Sequence, residues 1–205
     1  MSLKKALIII VLILLIDQIS KIYIKTHFQL NEDVEVFKWF KISFIENDGM
    51  AWGTKLSDFF TFISDRSAKL ILTLFRIVAV TGIAFWLIDV TKKKKSKILI
   101  FAIAIIFAGA LGNILDSVFY GVLFDDSYMK VSTFLPEAGG YADVFHGKVV
   151  DMLYFPIWRG TLPDWLPFIG GKMVSFFDPV FNVADIAIST GIGILIVFNK
   201  RAFKA

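Results

Sequence analysis

No cysteine occurs in the 205 residues, and there are only two histidines and five prolines. Without cysteine the chain forms no disulfide, and it cannot itself be a cysteine-lipidated protein. His27 and His146 stand far apart and form no HExxH-type pair, so we expect no metal and no other cofactor. Three of the five prolines fall in the stretch PIWRGTLPDWLP, which indicates turns.

The apolar content excludes an ordinary soluble domain, because 57% of the residues are hydrophobic and the mean hydropathy is +0.71. A bilayer core of about 30 Å needs about 20 mostly apolar residues per helical crossing. Four stretches approach that length, at roughly 6–24, 70–90, 98–120 and 183–198. We predict a mainly α-helical membrane protein, a four-transmembrane-helix bundle in which residues 1–205 form a single integral membrane domain.

Acidic residues are nearly absent from three short basic segments, which precede the first span, join the second to the third, and follow the fourth. The positive-inside rule therefore places both termini in the cytoplasm and the long loops, 25–69 and 121–182, outside. The net charge of +4 reflects this asymmetry. The lysine run at 92–95 serves as a topology signal, and we expect no nucleic-acid partner.

The two outer loops contain strand-like sequence. Residues 36–45 alternate aromatic or β-branched with polar types, NDG at 47–49 is a turn signal, and KVVDMLYFPIW resembles a strand. Aromatic residues cluster in both loops, as is typical of the membrane surface. A small β-rich extracytoplasmic portion is predicted.

Several charged residues interrupt the apolar stretches: Asp17, Lys21, Arg76, Asp116 and Asp185. A charge near the centre of a membrane helix costs at least about 2.5 kcal/mol, so such residues usually face the bundle interior and have a function. Asp17 and Lys21 are four residues apart and are predicted to pair.

Two of the acids share a motif, since Asn113 precedes Asp116 and Asn182 precedes Asp185 by three residues. On a helix this spacing makes each amide a neighbour of its own carboxylate, to which it can donate. Taken alone, the repeated motif nominates Asp116 and Asp185 as a pair. Polar contacts that support a helix bundle are the alternative explanation.

Two carboxyl groups at short range share one proton, because both cannot ionise cheaply. Such a pair can hydrolyse an acyl bond without a covalent intermediate: one member takes a proton from water while the other polarises the carbonyl. The serines form no recognisable triad, although a serine–lysine dyad stays open.

Five blocks in order resemble the bacterial lipoprotein signal peptidases (signal peptidase II): DQISK at 17–21, ENDGMAWG at 46–53, GALGNILD at 109–116, GKVVDMLYF at 147–155 and FNVADIAISTG at 181–191. The resemblance implies an aspartic endopeptidase of the bacterial inner membrane whose site faces the periplasmic side. Its substrates would be diacylglyceryl-modified prolipoproteins, cut just before the lipidated cysteine. It also implies contact with membrane lipids, inhibition by cyclic peptides of the globomycin type, and a monomer.

By match to these blocks, the resemblance makes Asp151 and Asp185 the catalytic pair. It assigns a substrate-binding or supporting role to seven more residues: Asp17, Lys21, Asn47, Gly49, Asn113, Asp116 and Asn182.

The sequence departs from the family pattern at two places. Ser117 stands where the family usually has arginine, and residues 124–146 look like an insertion. We expect the acids of the insertion to be solvated rather than catalytic: Asp125, Asp126 and Asp143.

Two other classes of function compete with a peptidase. A small proton-coupled transporter or channel would use the intramembrane charges as a relay, but transporters often show repeated halves, and this chain shows no repeat. A non-enzymatic assembly factor would use the aromatic outer loops.

Overall fold

The computed structural model describes residues 1–48, 62–176 and 178–204. Three of its helices are long and apolar enough to cross a membrane: α1 (Leu3–His27), α2 (Asp65–Lys92) and α3 (Lys97–Leu115), the last of which continues to Leu123. The continuation is a π-helical turn, Asp116–Tyr120, and a short helix α4, Gly121–Leu123. A fourth apolar helix, α5 (Val183–Val197), has 15 residues, and α6 (Asn199–Ala202) follows it.

The four apolar helices lie where the sequence predicts spans, and their ends differ from prediction by a few residues. α5 alone is shorter than the roughly 20 residues that a straight crossing needs. The molecule is therefore a membrane protein with three to four apolar helices, and the exact number of crossings remains a prediction.

α3 lies at the centre of the bundle, where it packs against α1, α2 and α5. Its buried residues face every direction, as expected for a helix surrounded by other helices. By contrast, α1 and α2 leave many apolar side chains exposed along their outer faces, including Leu12, Ile16, Phe75 and Val78. Exposed apolar surface of this extent is expected where helices contact lipid.

Glycine allows α3 and α5 to approach closely. A Cβ added to Gly109 would lie 2.3 Å from the backbone oxygen of Ala184, and one added to Gly191 would lie 2.4 Å from Ile106 Cγ1. Small residues at a helix interface permit this spacing in membrane proteins. The contact fixes how far the start of α5 stands from α3.

A four-stranded antiparallel sheet covers one end of the bundle, in the order β1 (Asp33–Phe37), β2 (Phe40–Asn47), β3 (Val149–Tyr154), β6 (Val180–Phe181). A separate hairpin joins β4 (Trp158–Thr161) to β5 (Met173–Phe176). The small antiparallel sheet confirms the predicted β-rich portion. The single strand predicted at 36–45 is instead parts of two strands, because the chain turns at residues 38–39.

The sheet and the bundle share a hydrophobic cluster. Ile24 of α1, Phe44 of β2, Tyr120 of the π-helical turn, and Val150 and Met152 of β3 are all buried in it. β6 then runs directly into α5, since Phe181 pairs with Leu153 and Val183 begins the helix. This junction brings the start of α5 beside the middle of β3.

We expect Gly109→Ala to destabilise the protein by about 1–3 kcal/mol, because the new methyl group meets the rigid Ala184 backbone and the helices must separate. Gly82→Ala on α2 is the matched control: its Cβ meets nothing within 4 Å, so the change should be neutral or stabilise by up to about 1 kcal/mol. Thermal unfolding in detergent measures both. Equal melting temperatures for the two variants would contradict the proposed helix contact.

Candidate active site

A buried ammonium group lies where α1 faces α3. Lys21 Nζ is 2.9 Å from Asp17 Oδ2 and 2.8 Å from Asp116 Oδ2, and all three side chains are at most 1% exposed. The predicted pairing of Asp17 with Lys21 is thus confirmed. Asp116 begins the π-helical turn at the end of α3, a type of irregularity that is frequent at functional sites.

The two carboxylates also accept hydrogen bonds from three other positions. Asp17 Oδ1 accepts from the backbone N–H of Ala184 at 2.9 Å, and Asp116 Oδ2 accepts from that of Val150 at 3.3 Å. Gln18 Nε2 donates to Asp17 Oδ2 at 3.0 Å and to Asp116 Oδ1 at 2.9 Å. The cluster therefore joins α1, the end of α3, β3 and α5, and it satisfies groups whose burial would otherwise be costly.

Lys21 also fixes the orientation of an amide. Its Nζ donates to Asn113 Oδ1 at 2.8 Å. Because an ammonium group can only donate, the carbonyl oxygen of Asn113 must face Lys21 and the NH₂ group must point away. That NH₂ group donates to Asp185 Oδ1 at 2.9 Å. The buried cation thus aims a hydrogen-bond donor at Asp185.

Asn182 is the N-cap of α5 and is 0% exposed. Its Oδ1 accepts from the Asp185 backbone N–H at 3.0 Å, and Asp185 Oδ2 accepts from the Asn182 backbone N–H at 3.1 Å, which is a reciprocal capping box. The Asn182 NH₂ group remains free to donate elsewhere, and it lies 2.7 Å from Asp151 Oδ1. One asparagine therefore contacts both Asp151 and Asp185.

Asp151 lies in the middle of β3 and is 4% exposed. Its second oxygen accepts a hydrogen bond from Asn47 at the end of β2. Burial raises the pKa of Asp151 to about 8, and the negative charge of Asp185 contributes to this rise. The charge of Lys21 and the hydrogen bonds from Asn182 and Asn47 oppose the rise without cancelling it. A pKa of about 8 favours the protonated carboxyl group at neutral pH.

The predicted contact within a motif is confirmed for Asn182 and Asp185, which bond through backbone N–H groups. The side-chain amides donate elsewhere than predicted, Asn113 to Asp185 and Asn182 to Asp151. The physical reason is that Asn182 Oδ1 caps α5 and Asn113 Oδ1 faces Lys21, so both NH₂ groups point across the helix interface.

The structure pairs Asp116 with Lys21, whereas Asn182 contacts both Asp151 and Asp185. The choice of catalytic pair stays a prediction. A place in the long outer loop by itself predicts a solvated acid at Asp151, but the side chain is buried. The signal that could have corrected this is the apolar run of KVVDMLYF, which buries β3 almost completely. Gly49 lies outside the described residues.

A serine and a lysine do meet, but not where a substrate can reach them. Lys25 Nζ donates to Ser127 Oγ at 2.8 Å, and both side chains are 0% exposed beside Glu46. This cluster ties the insertion to α1 and β2. Two insertion acids, Asp126 and Asp143, are exposed as expected, and Asp125 is held by Lys130 and the loop backbone.

The fold and the site define an integral membrane protein with a cluster of buried carboxyl groups where its helix bundle meets a small sheet. The family model described as signal peptidase (SPase) II matches residues 9–200. The chain belongs to this family, and it is an integral membrane protein of the bacterial inner membrane.

Two relatives named lipoprotein signal peptidase support this family membership. The lipoprotein signal peptidase of Porphyromonas gingivalis is 45% identical over 195 residues, which cover 94% of this chain and 81% of that one. The lipoprotein signal peptidase of Amoebophilus asiaticus is 37% identical over 198 residues, which cover 95% of this chain and 76% of that one. The comparisons do not support the transporter alternative.

Two solved structures described as a bacterial membrane enzyme have the same fold. Their TM-scores are 0.59 and 0.60 at 22% sequence identity. The first alignment covers 99% of this chain and 93% of that one, and the second covers 95% and 92%.

Lys21→Met should destabilise the protein by about 3–5 kcal/mol, because it leaves Asp17 and Asp116 buried together without their cation. Lys93→Met is the matched control, since Lys93 also pairs with an aspartate four residues earlier, Asp89, but both groups are more than half exposed. The control should change stability by less than about 1 kcal/mol. Thermal unfolding compares the two, and similar losses would contradict a shared buried cation.

Proposed function

We propose that Asp151 and Asp185 are the catalytic pair of this chain, which as a signal peptidase II is a protease that removes signal peptides from prolipoproteins. The single observation that carries the proposal is the position of Asn182, which donates to Asp151 from its side chain and to Asp185 from its backbone. Two carboxyl groups held by one residue lie in the same part of the site, and the negative charge of Asp185 acts on Asp151. Two carboxyl groups at short range share one proton.

The proton of the pair resides on Asp151, whose pKa of about 8 keeps it protonated at neutral pH. Asp185 is then the ionised member and serves as the base. Coupled groups titrate together, so this assignment describes the dominant state of the pair.

The reaction needs no covalent intermediate. Asp185 takes a proton from a water molecule as its oxygen attacks the carbonyl carbon, and Asp151 gives its proton to the carbonyl oxygen. Asp185 next passes its proton to the amide nitrogen, and Asp151 takes one back from a hydroxyl group of the tetrahedral intermediate. The C–N bond breaks, and both carboxyl groups regain their starting states.

The remaining polar residues hold this pair in place. Asn47 and Asn182 orient Asp151, and Asn113 orients Asp185. Asp17, Lys21 and Asp116 fix Asn113 and join the segments that carry the pair. Gly49 belongs to the supporting set by its place in the matching block ENDGMAWG.

The site faces the outer, periplasmic side of the membrane, with both termini in the cytoplasm and four crossings in one integral domain. The distribution of lysine supports this orientation. The sheet that carries Asp151 lies at the end of the bundle away from the lysine run at 92–95. The scissile bond would then sit at the outer surface, just before a cysteine that carries diacylglycerol.

The lipid chains of such a substrate would share the bilayer with the exposed apolar faces of α1 and α2. A cyclic peptide of the globomycin type would inhibit by occupying the same site. One chain carries both proposed catalytic residues, which is consistent with a monomer.

Asp151→Asn and Asp185→Asn should each lower kcat by at least about a thousandfold, because neither variant can complete the proton transfers. Asp126→Asn is the matched control, since that acid is exposed in the insertion and should keep full activity. Cleavage of a diacylated prolipoprotein in detergent is the assay, with thermal unfolding to check folding. Folded pair variants that still cut the substrate would refute the assignment.

Activity should also fall as the pH rises above about 8, since Asp151 must keep the proton that it loses there. A single ionisation predicts a decrease in kcat/KM of about tenfold per pH unit beyond that point. The pH–rate profile of the purified protein measures this. A profile that stays flat to about pH 10 would rule out a protonated Asp151 in the reaction.

A further inference from the structure

Arg76 is a charged residue on a membrane helix to which neither the family blocks nor the proposed reaction gives a role. It lies on α2 with Lys69, Thr73 and Val80. At 3.6 residues per turn these four positions fall within about 60° of one another on the helix surface. Lys69, Thr73 and Val80 are buried, so this face of α2 points into the bundle.

Hydrogen bonds from this face of α2 show which part of the site it lies against. Thr73 Oγ1 donates to the carbonyl oxygen of Phe145 at 3.1 Å, shortly before β3. Lys69 Nζ donates to the carbonyl oxygen of Asp48 at 2.8 Å, and Asp48 follows Asn47, which contacts Asp151. The face of α2 therefore lies along the side of the site where the pair stands.

Two residues near Arg76 on α2 are more exposed than it is. Phe75 is 68% exposed and Val78 is 71% exposed, as expected for lipid-facing positions, whereas Arg76 and its neighbour Ile77 are half-buried. The positive charge of Arg76 interacts with the negative charge of Asp185 and, less strongly, with that of Asp151.

The Asp151–Asp185 pair needs a cation of its own, because Lys21 already pairs with Asp17 and Asp116. Lys21 lies within 3 Å of both Asp17 and Asp116, so the charge that acts on Asp151 also compensates two other carboxylates. An ionised Asp185 in a site of low dielectric constant is costly unless an opposite charge lies nearby.

From this geometry we infer that Arg76 is the counter-ion of the Asp151–Asp185 pair and keeps the base ionised in the working enzyme. The inference rests on the proposed function, since it assigns Arg76 a role relative to that pair. Arg76 acts through the pair, and it is a positioning residue rather than one that touches the reacting atoms.

Among the residues that the structure describes, two cations act on the pair: Lys21 of α1 acts on Asp151, and Arg76 of α2 acts on both acids. Asp17 and Asp116 pair with Lys21, and Lys69 interacts with Arg76 and Asp116 rather than with the pair. Removing the positive charge at position 76 makes it easier for the base to take up a proton. The acidic limb of the pH–rate profile should therefore move to higher pH.

The test compares kcat/KM against pH for Arg76→Gln, Arg76→Met and Arg76→Lys, with a diacylated prolipoprotein as substrate. The two neutral variants should move the acidic limb up by about one pH unit, while the plateau at higher pH changes less. Arg76→Lys keeps the charge and should keep the limb near its original position. Arg66→Gln is the matched control on the same helix, because Arg66 pairs with exposed Asp143 and should leave the limb unchanged.

An unchanged limb in a folded, neutral variant would overturn the inference, and so would a shift in Arg76→Lys as large as that in Arg76→Gln. A uniform loss of activity at every pH would indicate a structural role and would also overturn it. These outcomes are distinct from failure of the proposed function, which shows as activity retained in Asp151→Asn or Asp185→Asn.

Discussion

One ammonium group, Lys21 Nζ, sets the arrangement of the polar interior. It lies between two buried carboxylates, one on its own helix and one at the end of α3, and it also donates to the amide of Asn113. Burial of these charges is tolerable only because each is paired and hydrogen-bonded. A single carboxylate would be enough to pair with Lys21. Because Lys21 also donates to Asn113 Oδ1, it turns the NH₂ group of Asn113 toward the site.

The backbone supplies the second half of the arrangement. Two residues of β6 pair with β3, and α5 begins immediately afterwards with Asn182 as its cap. Asp151 of β3 and the first turn of α5 thereby both come within hydrogen-bond distance of the Asn182 side chain. Glycine at the interface of α3 and α5 allows the helix start to approach closely enough for Asn113 to bond Asp185. Backbone pairing and helix packing therefore place the two acids, while the amides orient them.

The sequence was informative where periodicity or spacing applies, and less so elsewhere. Hydropathy located the four apolar helices, and the i, i+4 spacing identified the Asp17–Lys21 pair. Spacing along one helix could not show that Asn113 and Asn182 donate across the interface, because the competing partners come from distant segments. Asp151 illustrates the same limit: its burial depends on strand pairing and on α5, and only the family blocks pointed to it.

The central claim is that Asp151 and Asp185 form a pair that holds a single proton, with that proton on Asp151 near neutral pH. Infrared difference spectroscopy tests it directly, because the C=O stretch of a protonated carboxyl group is distinct from the bands of a carboxylate. The wild-type protein at pH 7 should show a protonated carboxyl band that is missing from Asp151→Asn and that disappears as the pH rises through about 8. Identical carboxyl bands in the two proteins at pH 7 would contradict the account.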